Sequence, residues 1–316
     1  MRLLRQFAYF DPITRSQRLW VYERNCGPRG NASPKSETRT DGYFARPSDH
    51  SFEGNIEKTL ADQIENEVHD FLPHLSSPFF VFTHRHKRAL TRYIALLFTR
   101  CPGRKLAVRV HMEETRRRLA AFLNNEEAFL KYATRVSIKE RTPIPLEDFR
   151  AVWQKNLSQG ETDESLQEQF AAMLDRWKEI FDLHLYGGQW NVLNSQDHPF
   201  VIGDNPVVTW KLDGGNLSFG VGIHVPGAEV YVPVSPTACL QILPAGSQRP
   251  RVSRPTSQQV NEVQVMFMTR RVYAQSLLPA VDELVQRKGG ILRMGVNCFL
   301  TPQDDELDFS RIMGTI

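Results

Sequence analysis

Glu57 is the residue whose type and position ask most directly for a chemical explanation. If Asn55 caps a helix, Ile56, Leu60, Ile64 and Val68 recur every fourth residue and define an apolar arc. At about 100° per residue that arc runs from Ile56 to roughly 120°, and Glu57 falls inside it. A carboxylate there needs a cation or hydrogen-bond donors, because burying it alone costs several kcal/mol. Otherwise its pKa rises and it serves as an acid or base. Arg100, at the end of the following apolar helix, is the expected partner. Two readings stand side by side: an ion pair that fixes helix register, and a functional carboxylate. Glu65 lies on the flank of the same helix, where it either joins such a site or faces water.

Asp204 is the second candidate. In Phe200-Val201-Ile202-Gly203-Asp204-Asn205-Pro206-Val207 an apolar strand ends at an acid, an amide and a proline before another strand begins. Acid and amide side chains ahead of proline favour a turn through local hydrogen bonds. The same position is also where a strand end displays a carboxylate for chemistry, with Asn205 beside it as a ligand contact.

Cationic residues are unevenly spread. The formal net charge is only +3, yet His84 to Arg118 holds eleven Lys or Arg against Glu113 and Glu114, a local net of +9. Such a stretch either forms solvated helix faces or holds a phosphorylated ligand or nucleic acid, with Arg92 and Arg100 as anion contacts. Lys155 to Leu185 has the opposite sign, a net of −4. His84-Arg85-His86 offers two metal ligands after an apolar run, but no third and fourth ligand assemble around them, so no metal site is expected. No Gly-x-Ser-x-Gly elbow, His-Glu-x-x-His, phosphate-binding loop or Cys-x-x-Cys pair occurs. Cofactor use is left open.

The elements that must position these residues follow from periodicity. Arg5 to Phe10 and Arg18 to Glu23 read as a strand pair, and Cys26 to Glu37 as a mobile surface loop. Helices are expected from Asn55, over Ala89 to Phe98 with apolar residues on nearly every face, and at Met112 to Leu123, Glu126 to Val136 and Asp163 to Leu185. Cys101-Pro102-Gly103 is expected to stop the second of these. From Gly188 onward the period becomes that of strands: Gln189 to Leu193, Pro199 to Ile202, Val207 to Leu212, Glu229 to Val234 and Ala238 to Leu243. A helix over Ser257 to Met268, a strand over Arg271 to Ala274 and a helix over Pro279 to Gln286 complete the pattern. The expected fold is therefore α+β: an N-terminal hairpin joins the C-terminal strands in one antiparallel or mixed sheet, packed against a central helical region. A single domain over 1–316 is expected, with strands and loop in 1–50, helices in 51–186, and strands and helices in 187–316.

The four cysteines are scattered without a framework, as suits reduced thiols. Arg2, Arg5 and Gln6 interrupt the apolar character of Met1 to Phe10, so a signal peptide is not expected there. The longest apolar stretch, Tyr93 to Phe98, is far short of the roughly 20 residues that cross a bilayer. A cytoplasmic protein without a membrane partner is the expectation.

Several short pieces occur in one order: Leu4-Arg5-Gln6-Phe7, Leu19-Trp20-Val21-Tyr22, Ile56-Glu57-Lys58-Thr59-Leu60-Ala61, Arg100-Cys101-Pro102, Phe200 to Val207, Val232-Pro233-Val234-Ser235-Pro236, and Asn261. In this order the chain resembles the uncharacterised family called domain of unknown function 4238, found in bacteria and fungi. The resemblance spans Arg2 to about Ala274. It supports the architecture and the choice of Glu57, Arg100, Asp204 and Asn261, and implies no reaction. Family members usually carry His-x-x-Pro directly before the Leu-x-x-Phe piece, and this sequence starts after that point.

The leading expectation is a hydrolase of phosphodiesters or nucleic acid. In it Glu57, Asp204 and Asn261 are catalytic, while Arg100, Arg92, Glu65 and Asn205 contact the ligand. The alternative is a non-catalytic module for a small ligand or protein partner, in which the same polar residues organise the core.

Overall fold

The computed structural model describes residues 2–38, 63–77, 79–140, 143, 145–158, 179–195, 197–213, 216–245 and 255–292. Glu57 and most of its helix lie outside the described residues, as does much of the expected helix at Asp163 to Leu185.

The fold is α+β with antiparallel strand pairing throughout the described residues. Its strands divide between two sheets rather than filling one. The first residues, expected to be a strand, instead form helix α1, Arg2–Gln6, because Leu3, Leu4 and Phe7 share one side and are buried together. Strand β1, Tyr9–Asp11, then pairs with β2, Ser16–Glu23, through a turn in which Asp11 accepts from the Ile13 amide at 3.0 Å. Strand β10, Arg271–Ala274, lies against the other half of β2, with Tyr22 opposite Val272. It pairs in turn with the two-residue β5, Ile202–Gly203.

The segment Cys26 to Glu37 is not a plain loop. It carries β3, Arg29–Ala32, paired with β2, and helix α2, Pro34–Thr38. Its polar, Gly-rich composition hides the tertiary anchors. Gly30 lies under Trp20, where a Cβ would come within 2.7 Å of the indole, and Arg18 donates to the Asn31 carbonyl at 2.9 Å.

The second sheet has the order β4 (Gln189–Asn194), β9 (Ala238–Leu243), β8 (Ala228–Ser235), β6 (Val208–Asp213), β7 (Asn216–Phe219). Strands β6 and β7 pair as a hairpin, with Asp213 opposite Asn216.

Among the helices, residues 63–69 (α3) bury Ile64 and Val68. Helix α4, His84–Thr99, is buried along most of its length, from Ala89 through Phe98, as its all-round apolar sequence demands. Cys101-Pro102-Gly103 ends α4 and immediately begins α5, Pro102–Leu123, since proline is well suited to the first turn of a helix. Helices α6, Glu126–Glu140, and α7, Leu146–Ser158, form a small cluster of their own with Leu123, Phe129 and Trp153. Residues Asp182–Tyr186 form a π-helical turn leading into β4. Helix α8, Ser257–Phe267, precedes β10, and α9, Pro279–Lys288, follows it. One apolar cluster joins Leu4 and Phe7, Leu19 of β2, Leu90 and Ile94 of α4, Val232 and Leu240 of the second sheet, and Val260 of α8. No described helix is long and apolar enough to cross a membrane.

Candidate functional site

The segment Phe200 to Val207 runs between α8 and the first sheet, and both of its polar side chains and the amides of Phe200, Val201, Gly203 and Asp204 are hydrogen-bonded. Strand β5 is shorter than expected because side-chain amides replace the missing ladder. The Val201 amide donates to Asn261 Oδ1 at 2.9 Å, and Asn261 Nδ2 donates to the Pro199 carbonyl at 2.9 Å. One turn later on α8, Gln264 Oε1 accepts from the Gly203 amide at 2.9 Å and its Nε2 donates to the Pro206 carbonyl at 3.0 Å. Residues three apart on a helix share a face, so Asn261 and Gln264 line up along the segment as a neighbouring strand would. On the far side, the Phe200 amide donates to the Pro236 carbonyl at 2.8 Å, which ties in the Val232 to Pro236 piece.

Asp204 closes the turn between α8 and β10. Its Oδ1 accepts from the Thr269 amide at 2.8 Å, and its Oδ2 from the amides of Arg270 at 2.7 Å and Arg271 at 3.1 Å. Its own amide returns a bond to the Arg271 carbonyl at 2.9 Å. Burial pushes the Asp204 carboxyl up from its ordinary value, and the three backbone donors pull against that rise without cancelling it.

Asn205 carries the connection to the helices. Its Oδ1 accepts from the Gly103 amide at 3.0 Å, while Nδ2 donates to the Phe267 carbonyl and to Thr269 Oγ1. Gly103 is the residue that permits this approach, since a Cβ there would sit 2.9 Å from the Asn205 amide group. The tetrapeptide Arg100-Cys101-Pro102-Gly103 is thereby fixed to the strand-end segment. Arg100 itself caps the end of α4, with its amide bonded to the Leu96 carbonyl at 3.0 Å.

The structure therefore gathers Asp204, Asn205 and Asn261, and joins them to the Arg100 segment. It does not bring Arg92 or Glu65 to them by any described contact: Arg92 faces Glu67 of α3 at 3.7 Å, and Glu65 is half-buried on the same helix. Residues that sequence reading did not select complete the arrangement. Gln264 was detectable by the argument applied to Glu57, since it sits among Val260, Val263 and Phe267 on a buried face. Glu23, Glu37 and Arg271 were not, because they come from separate short elements.

These three form an ionic cluster beside the Asp204 turn. Arg271 Nη1 lies 2.7 Å from Glu37, whose side chain is only 7% exposed, and Arg271 Nε lies 3.5 Å from Glu23. Glu23 also meets Arg270 at 2.6 Å and Arg29 at 3.6 Å. Burial pushes the Glu23 carboxyl up, but the Arg270 hydrogen bond and the charges of Arg271, Arg270 and Arg29 outweigh it and hold the group below its ordinary value. Tyr273 is pushed up by burial and by the charges of Asp204 and Glu37.

The basic stretch is partly neutralised. Glu114 binds Arg117 at 2.8 Å and Arg118 at 2.8 Å, which holds its carboxyl down to about 2. In the His84-Arg85-His86 run, His86 forms the capping box with Thr83, and His84 Nδ1 is 3.1 Å from the Tyr186 hydroxyl. Among the described residues no group of three or more His, Cys, Asp or Glu is placed to hold a metal ion.

No curated protein and no solved structure matches the chain. Four of the short pieces read from the sequence meet here: Phe200 to Val207 is bonded to Gly103, next to Arg100-Cys101-Pro102, to Pro236 and to Asn261. Their order makes sense as one interlocked unit. The sequence model of the family described as protein of unknown function (DUF4238) matches residues 2–276, and the chain belongs to that family.

Proposed function

We propose that the protein is a non-catalytic binding module in which Asp204, Asn205 and Asn261 hold the core in register. The observation that carries this reading is the Asp204 carboxylate, whose two oxygens accept three consecutive backbone amides. A general acid or base needs hydrogen-bond reach to a substrate proton. Asp204 spends that capacity on a turn, and Asn205 and Asn261 spend theirs on backbone groups. Of the residues expected to carry phosphodiester hydrolysis, that leaves Glu57 as the acid or base, with Arg100, Arg92 and Glu65 as ligand contacts. Carboxylates beside Arg92, Arg117 and Arg118 also weaken the case for a continuous phosphate-binding stripe along 84–118. Cys26 and Cys239 are free thiols, which fits a reducing compartment such as the cytoplasm.

The test is turnover and binding with single- and double-stranded DNA and RNA and with small phosphodiesters, at low salt, over Mg²⁺, Mn²⁺, Ca²⁺ and Zn²⁺. The expected result is no hydrolysis by the native chain. Metal-dependent hydrolysis that disappears in Glu57→Gln, with the unfolding midpoint unchanged, would overturn the proposal and restore the hydrolase.

A further inference from the structure

The segment ahead of α4 has three properties that a finished surface seldom combines. The first is its side-chain pattern. Over Phe79-Phe80-Val81-Phe82, exposure alternates with the two-residue period of an extended chain: Phe79 is 89% and Val81 75% exposed, while Phe80 and Phe82 turn inward. The inward pair is held firmly. Phe80 stacks on the His86 ring at 5.0 Å and meets Phe82 edge-on at 5.2 Å, and Phe82 lies 5.7 Å from Trp190. Phe79 and Val81 thus protrude from a rigid base.

The second is the backbone. Among the described residues, no hydrogen bond engages the N–H of Val81 or Phe82, or the C=O of Phe79 or Phe80. The Phe79 and Phe80 amides are taken by Ser77 and the Val81 carbonyl meets His86 Nδ1, so the open groups are the Phe79 and Phe80 carbonyls and the Val81 and Phe82 amides, a short template for strand addition along an aromatic and β-branched run. The third is charge. Directly after the segment, Arg85 and Arg88 are exposed and, among the described residues, have no carboxylate partner, unlike Arg92, Arg117 and Arg118. Arg88 lies over the Tyr186 ring, 5.7 Å from its centroid.

We infer that residues 79–83 accept an extended acidic peptide of a partner protein as an added strand. Its backbone would pair with the open groups around Val81, its apolar residues at alternate positions would cover Phe79 and Val81, and its flanking carboxylate would meet Arg85 and Arg88. A lipid headgroup or a nucleic acid satisfies the charge but supplies no alternating ladder of amide donors and acceptors. This inference rests on the reading of the protein as a binding module, and it names the partner.

The experiment selects a displayed library of short random peptides on the native chain. Enriched peptides are expected to alternate apolar residues and to carry Asp or Glu at one flank. In fluorescence anisotropy, binding should fall about tenfold or more in Phe79→Ser/Val81→Ser. Arg85→Glu/Arg88→Glu should remove the salt dependence. All four side chains face solvent, so unfolding midpoints should stay at the native value; should the first variant lose its midpoint, the arginine variant carries the test alone. No enrichment, or binding indifferent to these substitutions, overturns the peptide surface. Binding of phosphatidylserine vesicles or oligothymidylate that requires Phe79 and Val81, in the absence of peptide binding, also overturns it. Those failures leave the non-catalytic reading standing, because only turnover contradicts that.

Discussion

Asn261 and Gln264 illustrate how a side chain can replace a strand. Each presents an acceptor and a donor to a stretch of chain that, among the described residues, has no strand pairing on that side. Asn261→Ala leaves a buried amide and carbonyl without partners, so it should cost about 2–4 kcal/mol, read from urea unfolding at unchanged slope. Glu23 gives a prediction in pH. Its folded-state pKa is depressed, so its contribution is fully present above the ordinary carboxylate value and is lost as pH falls through the lower folded value. The stability gap between the native chain and Glu23→Gln should therefore be larger at pH 7 than at pH 3; an equal gap would show that the arginines do not stabilise the charge. At this scale the sequence drew attention to Asp204 and Asn205, polar residues that end an apolar strand, while Glu57, the other such interruption, lies outside the described residues. The turn reading of Asp204 rested on acid and amide side chains ahead of a proline and expected local bonds, whereas the amides that Asp204 accepts lie 65 to 67 residues further on. The ion pair of Glu37 with Arg271 joins residues 234 apart in sequence, and nothing local announces it.

Among the elements, the junction of α4 and α5 and the strand-end segment act as one joint, with the Asn205 amide packed against Gly103. Gly103→Ala should destabilise the chain by about 1–3 kcal/mol, because the new methyl displaces Asn205. In an Asn205→Ala background the same change should cost much less, and the double-mutant cycle should return a coupling above about 0.5 kcal/mol. Strict additivity would mean that the two residues do not lean on each other. Helix α4 was readable because apolar residues occupy nearly all its faces. Helix α1 was not, since five residues are too few for a period to declare itself. Residues 29–38 were misread because composition reports mobility only when no distant anchor exists, and here Trp20 and Arg271 supply two.

Across the molecule, the α+β class and the union of the N-terminal hairpin with C-terminal strands were legible, and the partition into two sheets was not. Strand order depends on which faces the helices cover, and hydrophobic period says only that a face is covered. The apolar cluster shared by α1, β2, α4, α8 and the second sheet leads us to propose that the chain unfolds as one unit. Tryptophan fluorescence and far-ultraviolet circular dichroism should then report coincident urea transitions; separate midpoints would divide the chain into two cooperative units.

The claim beneath the whole account is that Asp204 works on the backbone. Urea unfolding of Asp204→Ala tests it most directly. Removing the acceptor for the amides of Thr269, Arg270 and Arg271 should lower stability by about 2–4 kcal/mol, with Asp204→Asn losing less because one oxygen remains. A variant as stable as the native chain to within about 0.5 kcal/mol would contradict the claim and return Asp204 to the list of residues kept for chemistry.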